Sequence, residues 1–137
     1  MALERRALKF GRPLRRREHR LACLAGVKNP DRIRVLVVES IPMPKLPWAR
    51  QLAARWGLSM EGVIGLCLRY GIFLRKGGSN PMETLIHECV HTAQYERLGG
   101  RAAFLQRYVR ECLEFGYADA PMEREAESAY DRMFRAR

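Results

Sequence analysis

The chain has 137 residues, 47% of them hydrophobic, and it carries 25 Lys and Arg against 15 Asp and Glu. This size and apolar content predict a single α+β domain with a buried core, and the sequence contains no repeat. No run of about 18 apolar residues occurs, which excludes a transmembrane helix, and no secretory leader is recognisable. Four cysteines without C-x-x-C spacing predict reduced, core-type thiols, and we expect a cytoplasmic protein.

Positive charge is concentrated at the amino terminus, where eight of the first twenty residues are Lys or Arg. Such a segment is typical of weak, non-specific binding to nucleic acid, to acidic protein surfaces or to anionic lipid. It is equally typical of a solvated, partly disordered tail. We therefore divide the chain into a basic amino-terminal segment with the composition of a flexible tail, residues 1–30, and a folded domain, residues 31–137.

Short strands are predicted in the first part of the folded domain. The β-branched run at residues 33–39 predicts a strand, which the proline-rich residues 41–47 end. Residues 48–56 have helical composition. The apolar residues 62–75 predict two strands joined by a tight turn at residues 70–71.

Residues 80–98 carry the signals of a well-defined helix. Asn80 is a favoured N-cap, Pro81 suits the first helical position, and Glu83 can return its carboxylate to the N–H of the cap. Gly99-Gly100 supplies the stop. One apolar stripe would bury the helix and leave its other face at a cleft; it consists of Leu85, Ile86, Cys89, Val90, Ala93 and Leu98.

The sequence His87-Glu88-Cys89-Val90-His91 lies within this helix. Residues four apart occupy one helix face, so His87 and His91 can bind the same ion. Two neutral imidazoles are typical zinc ligands, and zinc lowers the pKa of a bound water to about 7. Glu88 is then the candidate catalytic residue, a general base rather than a ligand. The alternative is two histidines that flank a glutamate by coincidence.

Residues 102–115 predict an amphipathic helix that ends at Gly116. Its apolar residues recur at helical spacing: Phe104, Leu105, Tyr108, Val109, Cys112 and Leu113. Tyr108 on this stripe and Tyr117 just after it are candidate donors to the oxyanion that forms on a hydrolysed carbonyl group. Packing in the core is the other role open to these two aromatic side chains.

A catalytic zinc needs a third protein ligand. The remaining histidine, His19, is far away in the sequence, whereas residues 121–131 begin with proline and predict a glutamate-rich helix. Glu123 and Glu127 share a face there, so one can bind the metal while the other accepts the free ring N–H of a ligating histidine. Glu123 is the candidate ligand, because Pro121 places it in the first helical turn, where unpaired backbone N–H groups favour a buried carboxylate. Glu125 and Glu127 are alternative third ligands. A solvated helix surface is the other role open to each of these glutamates.

The motif from His87 to His91, followed by Glu123-x-Glu125-Ala126-Glu127, resembles the gluzincin class of zincin metallopeptidases, whose third ligand lies on an E-x-E-A-D-like helix. The continuation of the motif with Gln94 resembles the small metallopeptidase domains associated with contractile injection systems and toxins. The resemblance covers roughly residues 70–130. It implies one zinc ion held by His87, His91 and Glu123, with Glu88 as the base. Glu127 departs from the Asp that is common in the related pattern.

In zincins, the strand before the metal-binding helix commonly forms the upper edge of the cleft, where an extended peptide pairs with it. The resemblance thus implies a compact zincin-like domain, in which a small antiparallel sheet or hairpin packs on the metal-binding helix and two further helices follow. Ile72, Phe73, Leu74 and Arg75 are the candidate substrate edge. An ordinary hairpin without that role is also compatible with the sequence.

The leading prediction is a zinc-dependent metallopeptidase that acts on a peptide or protein substrate. The alternative is a catalytically inactive, zinc-stabilised binding module whose basic surface binds nucleic acid or a protein partner. A metal-free basic protein with a fortuitous motif is a third interpretation. Measurements of zinc content and of peptide hydrolysis distinguish these three interpretations.

Overall fold

Five helices and a three-stranded sheet make up the part of the chain that the structure, a computed structural model, describes: residues 2–42 and 63–135. In chain order the elements are α1 (Ala2–Phe10), α2 (Arg16–Leu24), β1 (Arg34–Val38), β2 (Gly65–Leu68), β3 (Gly71–Arg75), α3 (Pro81–Leu98), α4 (Arg101–Phe115) and α5 (Pro121–Phe134), with a 3-10 turn at Pro30–Arg32. The predicted α+β class is confirmed. The predicted helix at residues 48–56 lies outside the described residues. Within the two described ranges, no helix is both long and apolar enough to cross a membrane.

β2 and β3 form the hairpin predicted from the sequence, and they pair in antiparallel fashion from Gly65 with Leu74 to Leu68 with Gly71. The turn between them places Arg69 in the left-handed region, with a φ of 62°. β1 adds to the other side of β3 in parallel. The sheet therefore has the order β1-β3-β2 and is mixed rather than antiparallel.

β3 is the central strand of the sheet, which differs from its expected role as the substrate edge. Ile72, Phe73, Leu74 and Arg75 pair with β1 on one side and with β2 on the other. A strand with both edges paired has no backbone N–H or C=O groups left for a further strand. The prediction that residues 72–75 form the edge that pairs with a substrate is therefore wrong. Among the described strands, the outer edges belong to β1 and β2.

Residues 2–24, expected to belong to a flexible basic segment, instead form two helices with buried faces. α1 packs on β3 so closely that a Cβ atom on Gly71 would lie 2.9 Å from the Cβ atom of Ala7. α2 packs its apolar face on α3 and α5. Between the two helices, Arg12 forms a single antiparallel bridge with Val35 of β1. These contacts make the basic segment a part of the folded domain.

α3 begins and ends where the sequence predicts. The Oδ1 atom of Asn80 accepts the backbone N–H of Glu83 at 3.2 Å. The Glu83 carboxylate, expected to reach the backbone N–H of the cap, instead accepts the side-chain amide of Asn80 at 2.6 Å. Gly99 ends the helix with a φ of 91°, a conformation that glycine adopts without strain. The predicted apolar stripe is buried, apart from the partly buried Leu98.

α4 and α5 pack against α3 and against each other, and both confirm the predicted helices. The buried stripe of α4 is narrower than expected, because Phe104 and Cys112 are buried whereas Leu113 is 54% exposed. Glu111 of α4 accepts the backbone N–H of Met122 at 2.8 Å. This bond satisfies a donor in the first turn of α5 that no helical carbonyl group can reach.

The apolar core lies on both faces of the sheet. Its larger part is between the sheet and α3, and its smaller part is between the sheet and α1. Cys67, Cys89 and Cys112 are buried free thiols. Cys23 is also a free thiol, but it is exposed rather than core-type as expected.

Near the end of α3, Glu96 ties together three parts of the chain. Its carboxylate accepts the backbone N–H groups of Lys28 at 2.8 Å and Asn29 at 3.0 Å, the Asn29 side-chain amide at 3.1 Å and the Tyr70 hydroxyl at 2.8 Å. Burial alone would raise the pKa of Glu96, but these hydrogen bonds outweigh it and lower the pKa below its ordinary value. The carboxylate thus joins α3 to the loop after α2 and to the turn between β2 and β3.

We expect Glu96→Gln to lower the free energy of unfolding by about 1–2 kcal/mol, because an amide is a weaker acceptor than a carboxylate and the site is partly open to solvent. The difference should be present near neutral pH and shrink as the pH falls through the lowered pKa, where the parent carboxylate becomes protonated. Urea unfolding near neutral pH and near pH 3 measures both effects. The exposed Glu114→Gln is the matched control, and a Glu96→Gln variant as stable as this control would contradict the prediction.

Candidate metal centre

α3 and α5 bring together the three predicted ligands. His87 and His91 lie one turn apart on α3, with their ring centroids 5.0 Å apart, and Glu123 lies in the first turn of α5. One carboxylate oxygen of Glu123 is 3.1 Å from Nε2 of His87, and the other is 3.2 Å from Nε2 of His91. One ligand atom from each side chain lies within 4.8 Å of the other two.

This donor set fits a zinc ion. Tetrahedral zinc with ligands at about 2.0–2.1 Å separates its ligand atoms by about 3.3 Å, which is close to the two nitrogen–oxygen distances of Glu123. Glu123 and His91 are each only 6% exposed, so bulk water is largely kept from competing for these ligand atoms. Two imidazoles and one carboxylate leave a fourth tetrahedral position open, as in catalytic rather than structural zinc sites.

Tyr108 holds the Glu123 carboxylate from the side of α4, because its hydroxyl group donates a hydrogen bond to Glu123. Burial alone would raise the pKa of Glu123, but the hydrogen bonds from His87 and His91 outweigh it and keep the pKa well below its ordinary value. Tyr108 was a candidate oxyanion donor, yet its O–H bonds to the third ligand. In this structure Tyr108 positions Glu123.

The place of the ring proton on His91 follows from the contacts of Gln94. The side-chain N–H₂ group of Gln94 donates to the Met122 carbonyl at 3.0 Å and to the Glu125 carboxylate at 2.7 Å, and neither partner can donate in return. The Oε1 atom of Gln94 therefore faces Nδ1 of His91, at 2.8 Å, and accepts its ring N–H. Because Nδ1 keeps its proton, the Nε2 atom of His91 presents its lone pair to the metal position once the ring has lost its second proton, the one that faces Glu123.

The other two glutamates of α5 have separate surroundings. Glu127 places a carboxylate oxygen 3.4 Å from Nδ1 of His87, which is the position of an acceptor for the second ring nitrogen. The Glu127 side chain is 77% exposed, so this contact is weaker than the buried support of His91. Glu125 bonds to Gln94 and accepts a hydrogen bond from Arg97 at 2.8 Å. It therefore lies away from the position of a third ligand.

Glu88 lies beside the ligand cluster and against β2. A Cβ atom on Gly65 would be 2.8 Å from Oε2 of Glu88, so the absence of a side chain at Gly65 makes room for the carboxylate. Burial raises the pKa of Glu88, and the charges of His91 and His87 act in the opposite direction. A buried carboxylate with a raised pKa is suited to taking up a proton at this position.

Tyr117, the second candidate oxyanion donor, follows α4 and is 36% exposed. Burial raises the pKa of its phenol, and the negative charges of Glu123 and Glu88 raise it further. The side chain is thus within electrostatic reach of the site and stays protonated at neutral pH. Its role as an oxyanion donor stays a prediction.

Two residues at the site, Gln94 and Gly65, have no role assigned from the sequence. Gln94 has a local signal, since it stands three residues after His91 and so shares its side of the helix. Gly65 has none, because its role depends on how a strand packs against a helix later in the chain. The chain matches no protein-family model, no curated protein and no solved structure.

We expect Gln94→Leu to weaken zinc binding by about 10–100-fold, because the ring N–H of His91 loses its acceptor and the ring is no longer fixed. Competition with a chromogenic chelator measures the affinity. Arg97→Gln is the matched control, since it removes a neighbour of Glu125 but leaves the bond between His91 and Gln94 intact. Parent-like affinity in a correctly folded Gln94→Leu variant would show that Gln94 does not position His91.

Zinc binding should weaken as the pH falls below about 9. Burial alone would lower the pKa of His91, but the hydrogen bond and charge of Glu123 outweigh it and raise the pKa to about 9. The His91 ring must lose the proton on Nε2 before a metal binds there. Apparent affinity should therefore rise with pH, by up to about tenfold per unit for each histidine ring that must lose a proton, until about pH 9 and then level off. Chelator competition across this range tests the prediction, and levelling at the ordinary histidine value of 6.5 would contradict it.

Proposed function

We propose that the protein is a zinc-dependent metallopeptidase of the cytoplasm that hydrolyses peptide bonds in a peptide or protein substrate. The observation that carries the proposal is the meeting of His87, His91 and Glu123 around one point, with the Glu88 carboxylate within electrostatic reach of all three. Structural zinc sites are closed by four protein ligands. Three ligands and an adjoining acid–base group are instead the composition of a hydrolytic site.

Zinc bound by this cluster would polarise the scissile carbonyl group and lower the pKa of a water molecule. Glu88 takes a proton from the water as the water oxygen attacks the carbonyl carbon. It then returns the proton to the leaving nitrogen when the C–N bond breaks. The burial that raises the pKa of Glu88 favours this uptake, and the lack of a side chain at Gly65 leaves room for the carboxylate.

The outer edge of β2 is the surface with which we expect an extended substrate to pair. Arg75 donates its backbone N–H to the carbonyl of Ile64 at 2.9 Å, and such bonds alternate along an antiparallel pair. The backbone N–H and C=O groups of Gly65 and Cys67 therefore lie on the outer edge. Gly65 also contacts Glu88, which supports a substrate backbone lying beside the catalytic carboxylate. Main-chain pairing of this kind favours extended peptides as the substrate class.

Zinc content and hydrolysis, measured on the parent and on Glu88→Gln, test the proposal. We expect about one zinc per chain in both proteins and cleavage of a peptide library by the parent. Cleavage should be at least about 10²-fold slower in the variant, because general-base catalysis contributes about 10²–10⁴-fold. Glutamine keeps the size of the side chain beside Gly65, so loss of rate without loss of zinc distinguishes a base from a ligand.

The ligand variants complete the experiment. His87→Ala and Glu123→Ala should lose zinc, whereas Glu125→Ala and His19→Ala should retain it, because Glu125 bonds to Gln94 and His19 to Asp31. A parent that holds one zinc but cleaves no peptide would favour the inactive, zinc-stabilised binding module. Zinc well below one equivalent after reconstitution would contradict both functions.

A further inference from the structure

The positive charge of the protein is concentrated in one part of the fold, outside the metal cluster. Residues 1–34 contain 11 Lys and Arg and 3 acidic residues, a net charge of +8. Residues 63–135 contain 10 basic and 10 acidic residues and have no net charge. Most of the total excess of +10 is therefore carried by α1, α2 and the residues that follow them.

These charges project from helices that are fixed to the core. Seven cationic side chains on α1, on α2 and at the residue before α2 are exposed, and we call them the basic surface: Arg5, Arg6, Lys9, Arg15, Arg16, Arg17 and Arg20. Within residues 2–42 and 63–135, none of the seven forms an ion pair. A connection of five residues joins the two helices, and the bridge between Arg12 and Val35 holds it against β1. The cations of α1 and those of α2 are thus each carried by a helix that packs on the core, and not by a mobile tail.

The acidic residues of α1 and α2 do not neutralise the basic surface, because they are buried and paired with other cations. Glu18 is buried and accepts both terminal guanidinium nitrogens of Arg12, at 2.8 Å and 3.1 Å. Glu4 is buried and pairs with Arg101 at 3.4 Å. Neither helix therefore has an exposed carboxylate of its own, and the exposed Asp31 after α2 lies against His19, 3.1 Å from its Nε2 atom.

We propose that the basic surface binds the phosphate backbone of double-stranded nucleic acid without sequence preference. Six of its seven residues are arginine, whose planar guanidinium group binds phosphate in bidentate fashion. Arg16 and Arg20 lie about 6 Å apart along the axis of α2, a distance close to two successive phosphate steps of one DNA strand. A dense array of unpaired arginines complements a polyanion better than it complements an isolated acidic side chain.

The apolar residues of α1 and α2 favour nucleic acid over an anionic bilayer. Helices that bind at a membrane surface insert an apolar face, but Ala7 and Ala22, which mark the apolar faces here, are fully buried in the protein core. Leu8, Phe10 and Leu24 are exposed, yet they are too few to form an inserting face. A single aromatic side chain also provides no platform for stacked bases, which favours a duplex over a single strand.

Fluorescence anisotropy with a labelled DNA duplex of about 20 base pairs and arbitrary sequence tests the proposal. The logarithm of the binding constant should fall linearly with the logarithm of the salt concentration, with a slope near −0.9 per phosphate contacted and so about −6 if all seven cations take part. The triple variant Arg16→Gln, Arg17→Gln, Arg20→Gln should reduce the slope by about three and weaken binding more than about tenfold at moderate salt.

Matched controls distinguish binding by the basic surface from binding that depends only on the net charge of the protein. Arg110→Gln, Arg124→Gln, Arg132→Gln removes the same charge from α4 and α5 and should leave the slope unchanged. A second test variant, Arg5→Gln, Arg6→Gln, Lys9→Gln, should behave like the α2 triple. Circular dichroism shows whether each variant is folded, and zinc content reports on the metal centre independently.

Several outcomes would overturn the proposal. Equal losses in the α2 triple and in the control triple would mean that binding follows net charge alone. No binding at low salt, or binding that is insensitive to salt, would show that the basic surface does not bind phosphate groups. Tighter binding to phosphatidylcholine–phosphatidylserine vesicles than to the duplex, lost in the α2 triple, would assign the basic surface to a membrane instead.

Discussion

The Glu123 carboxylate joins three helices at one buried point. From the first turn of α5 it contacts His87 and His91 of α3 and Tyr108 of α4. A buried carboxylate is stable only where opposite charges and hydrogen-bond donors surround it. A shift of any one of the three helices would leave this charge with fewer partners. The packing of the carboxyl-terminal half of the domain is therefore tied to the arrangement of the candidate metal centre.

The backbone beside Glu123 is held as firmly as its side chain. The N–H of Met122 is bound by Glu111 from α4, and the C=O of Met122 is bound by Gln94 from α3. Gln94 also bonds to Nδ1 of His91, so one side chain orients a candidate ligand and holds the first turn of α5, which carries another. Such supporting contacts commonly decide how well a metal site is preorganised.

Local signals in the sequence predict most of the helices and the residues of the candidate metal centre. The cap at Asn80, the stop at Gly99 and the four-residue spacing of the histidines are all properties of short segments, and α5 follows from Pro121. The central position of β3 was not predictable in this way, because it depends on the pairing of residues 34–38 with residues 71–75. The pairing of strands that are distant in the sequence cannot be recognised from the residues of either strand alone.

The amino-terminal helices were missed for a different physical reason. Their buried residues are few, and only Ala7, Leu21 and Ala22 are apolar, because Glu4 and Glu18 are the others. The surrounding arginines dominate the composition. A helix that buries small side chains at close approach needs little apolar area, so charge density is a poor guide to whether such a segment is folded. The close contact between α1 and Gly71 shows how little apolar volume that packing needs.

The contact between Gly65 and Glu88 has a consequence for divergent copies of this domain. Glu88 keeps its place only while the residue opposite it in β2 lacks a side chain, since even a methyl group would meet the Oε2 atom at 2.8 Å. A descendant could retain the complete His-Glu-x-x-His motif and still lose the proposed activity through one substitution 23 residues earlier in the chain. Loss of this glycine would thus mark a displaced Glu88 carboxylate that the motif itself does not reveal.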